Sequence, residues 1–265
     1  MTINAADAVY REVFLTPVRV CANYRPAFGT AKNAEEISLP KFQQLFAADP
    51  LYAWLGLDSP LMYAAHKAAG GMTSIYRQIG IGCERLVRAV IRDTLLLSEA
   101  EVAWGYDSIR TDGKSQRLVL DARIDTNHLS DAEASARVTE WLASASVKIN
   151  QHRDVSGAVF EVRQGYKSAD SKRQNADLRF GLASYDAGYL PVIMVISTQV
   201  SQGVIARYRQ NKLMVLTGTM DNNPTTSTYA FFDQVVGYSL ANFFERNSVT
   251  IKSEVEAILQ SLLTA

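Results

Sequence analysis

The chain changes its hydrophobic period near residue 100, and this change limits its possible folds more than any other feature. From Ile79 to Leu97 apolar residues recur at Cys83, Leu86, Val87, Val90, Ile91 and Leu95, the spacing of a buried helical stripe. Arg85, Arg88 and Arg92 lie on its wetter sides and Glu84 on its border. Beyond it the period is two: VAWGYDSIR at 102–110, the polar turn TDGK at 111–114 and SQRLVLDARID at 115–125 form a hairpin signature. Side chains alternate along a strand, so Leu118, Leu120, Ala122 and Ile124 share one face of the second strand. Arg117, Val119, Asp121, Arg123 and Asp125 share the other.

SDAEASARVTEWLASAS at 130–146 predicts a helix inserted after the hairpin, with Ser130 as N-cap and Glu133 three residues on. GAVFEVRQGYK at 157–167 reads as a strand, 168–188 as a helix ended by Gly188, and PVIMVIS at 191–197 as a strand buried on both faces. A short helix at 202–211 and a second buried strand at 212–218 follow. The order predicts an α/β fold with a mixed central sheet, an antiparallel hairpin followed by parallel strands, flanked by helices. Before this core, 41–57 reads as a helix broken by Pro50, and 59–71 as a helix opened by Pro60 and stopped by Gly70-Gly71. After it, 219–228 is a loop, and two C-terminal helices within 229–265 break near Asn247-Ser248.

A chain of 265 residues is ample for one core and short for two ordinary domains, so a single domain is expected. Within it, 1–74 is a helical region, 75–220 the core and 229–265 the terminal helices. Twenty-seven basic and twenty-seven acidic residues cancel, which excludes a polybasic coating protein and an acidic disordered tail. Cys21 and Cys83 form no CxxC pair, and His66, His128 and His152 share no ligand-type spacing with them. A structural zinc site and a disulfide framework are therefore not expected. The N-terminal stretch lacks the order of a secretion signal and no apolar run approaches a membrane span, so the expectation is a cytoplasmic protein with no membrane partner. Gly113-Lys114-Ser115 imitates the end of a phosphate loop, but Ser108 stands where its first glycine belongs and no helix follows.

The chemistry collects at 157–179. On the strand beginning GAVFEV, Glu161, Arg163 and Lys167 fall on one face, and charges there are costly to bury unless they serve one another or a ligand. From Glu161 to Arg179 five basic residues face three acids, so a neutral chain is locally basic. Phosphodiester hydrolysis uses such a mixture: carboxylates hold Mg²⁺, and a cation orients or activates the attacking water. Asp121 or Asp125 with Glu161 would supply the carboxylates, Lys167 or Arg163 the cation.

A helix bearing Glu84, a hairpin bearing Asp121, a strand bearing Glu161 and a trailing cation, then helix, strand, helix and strand: this order resembles the PD-(D/E)XK nuclease core of many type II restriction endonucleases. The resemblance spans about residues 75–220 as a fold pattern. It implies a restriction-endonuclease-like fold in which Asp121 and Glu161 bind Mg²⁺, a lysine-type cation assists the water, and Glu84 adds a third acid. Where the family reads Glu-x-Lys this chain reads Glu161-Val162-Arg163, leaving Arg163 or Lys167 for the cation, and Asp154 competes as first acid. The implied protein is a Mg²⁺-dependent, sequence-specific double-stranded DNA endonuclease, a homodimer with two sites for the two strands, its 1–74 region contacting DNA or the second copy. The alternatives are a non-catalytic DNA-binding or assembly protein on the same core and an α/β small-molecule binding domain. Structural readings stand beside these: a salt-bridge ladder of Asp121 with Arg117 and Arg123, and a solvated or DNA-contacting helix face at Arg207, Tyr208 and Arg209. Loops at 68–74 and 219–228 are suited by composition to approach phosphates.

Overall fold

A computed structural model describes residues 3–24, 37–109, 113–165 and 171–264. The helices are α1 (Ile3–Arg19), α2 (Leu39–Ala47), α3 (Pro50–Trp54), α4 (Pro60–Thr94), α5 (Glu99–Val102), α6 (Ala132–Lys148), α7 (Ser171–Asp186), α8 (Gln202–Gln210), α9 (Thr228–Phe231) and α10 (Leu240–Thr264). The strands are β1 (Trp104–Ile109), β2 (Ser115–Leu120), β3 (Ala122–Asp125), β4 (Gly157–Arg163), β5 (Tyr189–Val195) and β6 (Met214–Leu216). The chain divides into two compact units, Met1–Phe14 with Gly80–Asn247, and Leu15–Ile79 with Ser248–Ala265.

The first unit carries a mixed sheet as expected, but the hairpin stands outside it. β1 and β2 pair antiparallel, Trp104 opposite Leu120. A separate four-stranded sheet runs β3-β4-β5-β6, with β3 antiparallel to β4 and the other two pairs parallel. What reads in sequence as one long strand at 115–125 is broken at Asp121, so its halves belong to different sheets. β5 is buried at every residue, as an apolar run covered on both faces must be. On one face Val159, Ile193 and Val215 pack with Phe180 of α7 and with Val204, Ile205 and Tyr208 of α8. On the other, Phe160 stacks on Trp141 of α6, and both meet Phe231 of α9. Alternation along β4 therefore sends Val159, Glu161 and Arg163 toward α7 and α8, and Phe160 toward α6.

Several boundaries differ from the sequence reading, each for a local reason. α6 begins one residue later, because Asp131, not Ser130, accepts the Glu133 N–H as the cap. β4 ends at Arg163, and the positive φ of Gly188 closes the turn after α7 as expected. The C-terminal break falls at Gly237, whose φ of +93° no side chain takes easily, after a π-helical turn Phe232–Val236. α10 then runs through Asn247, which is buried and donates its side-chain amide to the Phe243 carbonyl and to Asp7.

In the second unit Pro50 starts α3, and the Asp49 carboxylate caps it by accepting the Leu51 and Tyr52 N–H groups. The expected stop and loop at 68–74 are instead the interior of α4. Gly70 and Gly71 are packing contacts there: a Cβ at Gly70 would overlap the Tyr24 hydroxyl, and one at Gly71 would sit 3.2 Å from Leu262. No described helix is long and apolar enough to cross a membrane.

Candidate active site

The site residues lie in the first unit, where α4 and the β2–β3 break meet the C-terminal end of β4. Arg88 of α4 fixes the break by donating to the carbonyls of Leu120 and Asp121 at 2.8 and 2.6 Å. The register pairing Ala122 with Phe160 carries on to the next rung, so Asp121 lies beside Glu161. There the Asp121 N–H bonds to the Phe160 carbonyl at 3.2 Å, and one Asp121 carboxylate oxygen accepts the Val162 N–H at 2.7 Å. Two acids forty residues apart in sequence are thereby locked to adjacent strands by backbone bonds.

Arg163 adjoins them. Its guanidinium meets a Glu161 oxygen at 2.5 Å and an Asp177 oxygen from α7 at 2.9 Å. The side chains of Arg163, Glu161 and Asp177 are 16%, 18% and 4% exposed, so this charge cluster is largely removed from water. The second Asp177 oxygen accepts the Tyr208 hydroxyl at 2.6 Å.

The electrostatics follow from burial. Desolvation pushes Asp121 up to about 8, and repulsion from Glu161 and Glu84 adds to it, against the Val162 N–H and Arg163, which favour the charged form. Glu161 is raised as well, first by burial and then by Asp177 and Glu84, with Arg163 opposing. Glu84 is raised by burial and held back by Arg163, Arg85, Arg88 and Arg173. Arg163 thus attracts four carboxylates: Glu84, Asp121, Glu161 and Asp177.

Of the sequence candidates, Asp121, Glu161 and Arg163 come together and Glu84 joins them electrostatically. Lys167 lies outside the described residues. Asp125 shares the Asp121 face but lies at the other end of β3, away from Glu161: it is buried there, accepting from Tyr189 at 2.7 Å and from Asn127. Asp154 is exposed before the start of β4, at the end of that strand away from Glu161. The salt-bridge ladder does not include Asp121, because Arg117 lies 4.0 Å from Asp107 across the hairpin and Arg123 donates to the carbonyls of Glu101 and Ala100.

Asp177 and Tyr208 escaped the sequence reading. Tyr208, placed there on a wet or DNA-contacting face, is a core residue 1% exposed. A usable signal was present in α7: its buried stripe is Gln174, Asp177, Phe180, Gly181 and Ser184, a helical period with polar residues on the sheet-facing side. A polar residue in such a position needs partners, and Asp177 meets Arg163 and Tyr208.

Among the described residues no three Asp, Glu, His or Cys side chains form a ready-made metal cage. Mg²⁺ commonly takes only one or two carboxylates, with waters and substrate phosphates completing its shell. Asp121 and Glu161 fit that requirement: they are hard oxygen donors, crowded and partly desolvated, and the bonds to Val162 and Arg163 engage one oxygen of each. No protein-family model, curated protein or solved structure matches the chain.

Proposed function

We propose that the chain is a Mg²⁺-dependent, sequence-specific endonuclease of double-stranded DNA, of the type II restriction class, working as a homodimer. The observation that carries this reading is the pairing of Asp121 with Glu161 across β3 and β4, beside a fixed cation, at the end of a mixed sheet. The element order around it supports a likeness to the PD-(D/E)XK core. Bound at Asp121 and Glu161, Mg²⁺ would supply charge stabilisation of the phosphoryl group and a more acidic water. The chain's own residues do the rest. Val162 and Arg163 orient the two carboxylates, and Arg163 adds fixed positive charge where negative charge develops in the transition state. A guanidinium stays protonated, so Arg163 is no general base.

That last point also favours a second reading, a DNA-binding protein without catalysis, since Arg163 stands where the family motif has lysine. Plasmid DNA incubated with and without Mg²⁺, using the wild type and Glu161→Ala, separates the two. Discrete fragments from wild type and metal only are expected. Shifted but intact DNA would establish the second reading, and absence of any binding would remove both.

A further inference from the structure

We infer that Asp177 and Tyr208 are positioning residues that hold the Arg163 guanidinium against Glu161; what Arg163 then does for the reaction rests on the nuclease reading above. The contacts form one line across three elements. Tyr208 of α8 donates to one oxygen of Asp177 at 2.6 Å, the other oxygen takes Arg163 at 2.9 Å, and Arg163 reaches Glu161 at 2.5 Å. Each end of the line is anchored in packed structure. Tyr208 is buried between α8 and the sheet, among Val204, Ile205 and Val215, and Glu161 belongs to the β4 ladder between β3 and β5.

Stability alone is a poor account of this arrangement. Burying a triad of charges seldom stabilises a fold more than apolar side chains of the same volume would. The geometry is not the one that best satisfies Arg163 either, because its Nε–H is buried with no acceptor among the described residues. A buried orphan donor is costly, so the guanidinium sits where the two carboxylates put it. A planar fork gripped on two sides cannot rotate, and an arginine that cannot rotate fixes the oxygen of Glu161 that it holds. The other Glu161 oxygen then faces the site in one direction. The α7 stripe carrying Asp177 is polar for this purpose, and Arg207 keeps α7 in register by donating to Gln174 and Asn175 at 2.7 Å each.

Two variants test the clamp: Tyr208→Phe, which removes one hydroxyl and keeps the buried ring, and Asp177→Asn, which keeps the shape and removes the charge. The first measurement is of the arginine side-chain ¹H–¹⁵N signals of the full chain, with Arg163 assigned by its loss in Arg163→Lys. The wild type is expected to show resolved, slowly rotating Arg163 Nη–H signals that average in both variants. The second is steady-state plasmid cleavage with Mg²⁺, where kcat is expected to fall about 10- to 100-fold with KM for DNA changed less than about 2-fold. Arg163 signals in Tyr208→Phe identical to those of the wild type would overturn the clamp, as would unchanged kcat in a folded Asp177→Asn. Averaged signals in variants of a wild type that cuts no DNA would uphold the clamp and overturn the nuclease reading alone. Thermal unfolding of each variant confirms that a loss is not one of folding.

Discussion

At Asp121, burial and two neighbouring carboxylates favour the protonated form, so the folded chain keeps a proton up to about pH 8 that the unfolded chain releases near 3.8. This contribution to stability is therefore fully present below pH 3.8 and is lost as pH rises through 8. Asp7 behaves in the opposite sense. Burial opposes its ionisation, but Arg246 at 2.7 Å and Tyr238 at 2.8 Å hold it below the ordinary carboxylate value. Its contribution is present above pH 3.8 and lost as pH falls further. Urea midpoints measured without divalent metal are therefore expected to decline from pH 5 to pH 8.5, and to decline less in Asp121→Asn. In Asp7→Asn the pH 5 midpoint should already be lower by an amount worth about 2 kcal/mol, the scale of hydrogen bonds to a charged group. None of this was legible residue by residue. Asp121 and Glu161 stood out because charge on a strand among apolar runs asks for a reason, whereas Asp177 looked like one more acid in a charged helix. Its distinction is the side of α7 it occupies, which depends on where the sheet lies.

Elements with strong local periodicity were the readable ones. β4, β5 and the second half of α4 follow from apolar spacing alone, and Pro50 and Gly188 punctuate the chain as their backbone chemistry requires. The misreadings at Gly70-Gly71 and Asn247-Ser248 share one cause: these are small or polar residues that usually end helices, and here they serve contacts with remote partners, Leu262 and Tyr24 in one case and Asp7 in the other. The β2–β3 break was equally hidden, since alternation continues through Asp121 and the kink depends on Arg88 reaching the carbonyls. Gly157 is a sensitive position of this kind. A Cβ there would overlap the Ile124 carbonyl oxygen and lie 2.9 Å from the Asp125 Cα, so the β3–β4 pairing tolerates no side chain at that rung. Gly157→Ala is expected to destabilise the first unit by about 1–3 kcal/mol in chemical denaturation. Because the same pairing aligns Asp121 with Glu161, cleavage should weaken in the fraction that stays folded.

For the whole molecule, equal numbers of acidic and basic residues leave phosphate attraction to a local patch. DNA affinity measured against salt is accordingly expected to have a shallower slope than that of a basic coating protein, and binding to random sequence should be lost well before binding to the cognate site. Sedimentation should give twice the mass of one chain if two sites act on the two strands of a symmetric sequence; a monomer that still cuts both strands would remove the homodimer from the proposal. Fold class was legible at this scale because the switch from period 3.6 to period 2, and the two continuous apolar strands, leave few ways to cover a sheet. The division into two units was not, because α1, α4 and α10 each contribute residues to both, and no linker composition marks the change.

The helical excursion α6 separates Asp125 from its partner Gly157 by thirty-two residues, while β1 and β2 pair with Ile109 only six residues before its partner Ser115. Closing the longer loop costs more chain entropy and must precede its reward, so the hairpin can form locally, but the two acids meet only after a non-local pairing. During synthesis Asp121 leaves the ribosome well ahead of Glu161, so it has neither the Val162 N–H nor Glu161 beside it until β4 arrives. The candidate site is thus assembled by topology late in the birth of the chain, and no N-terminal fragment that ends before residue 157 brings the two acids together.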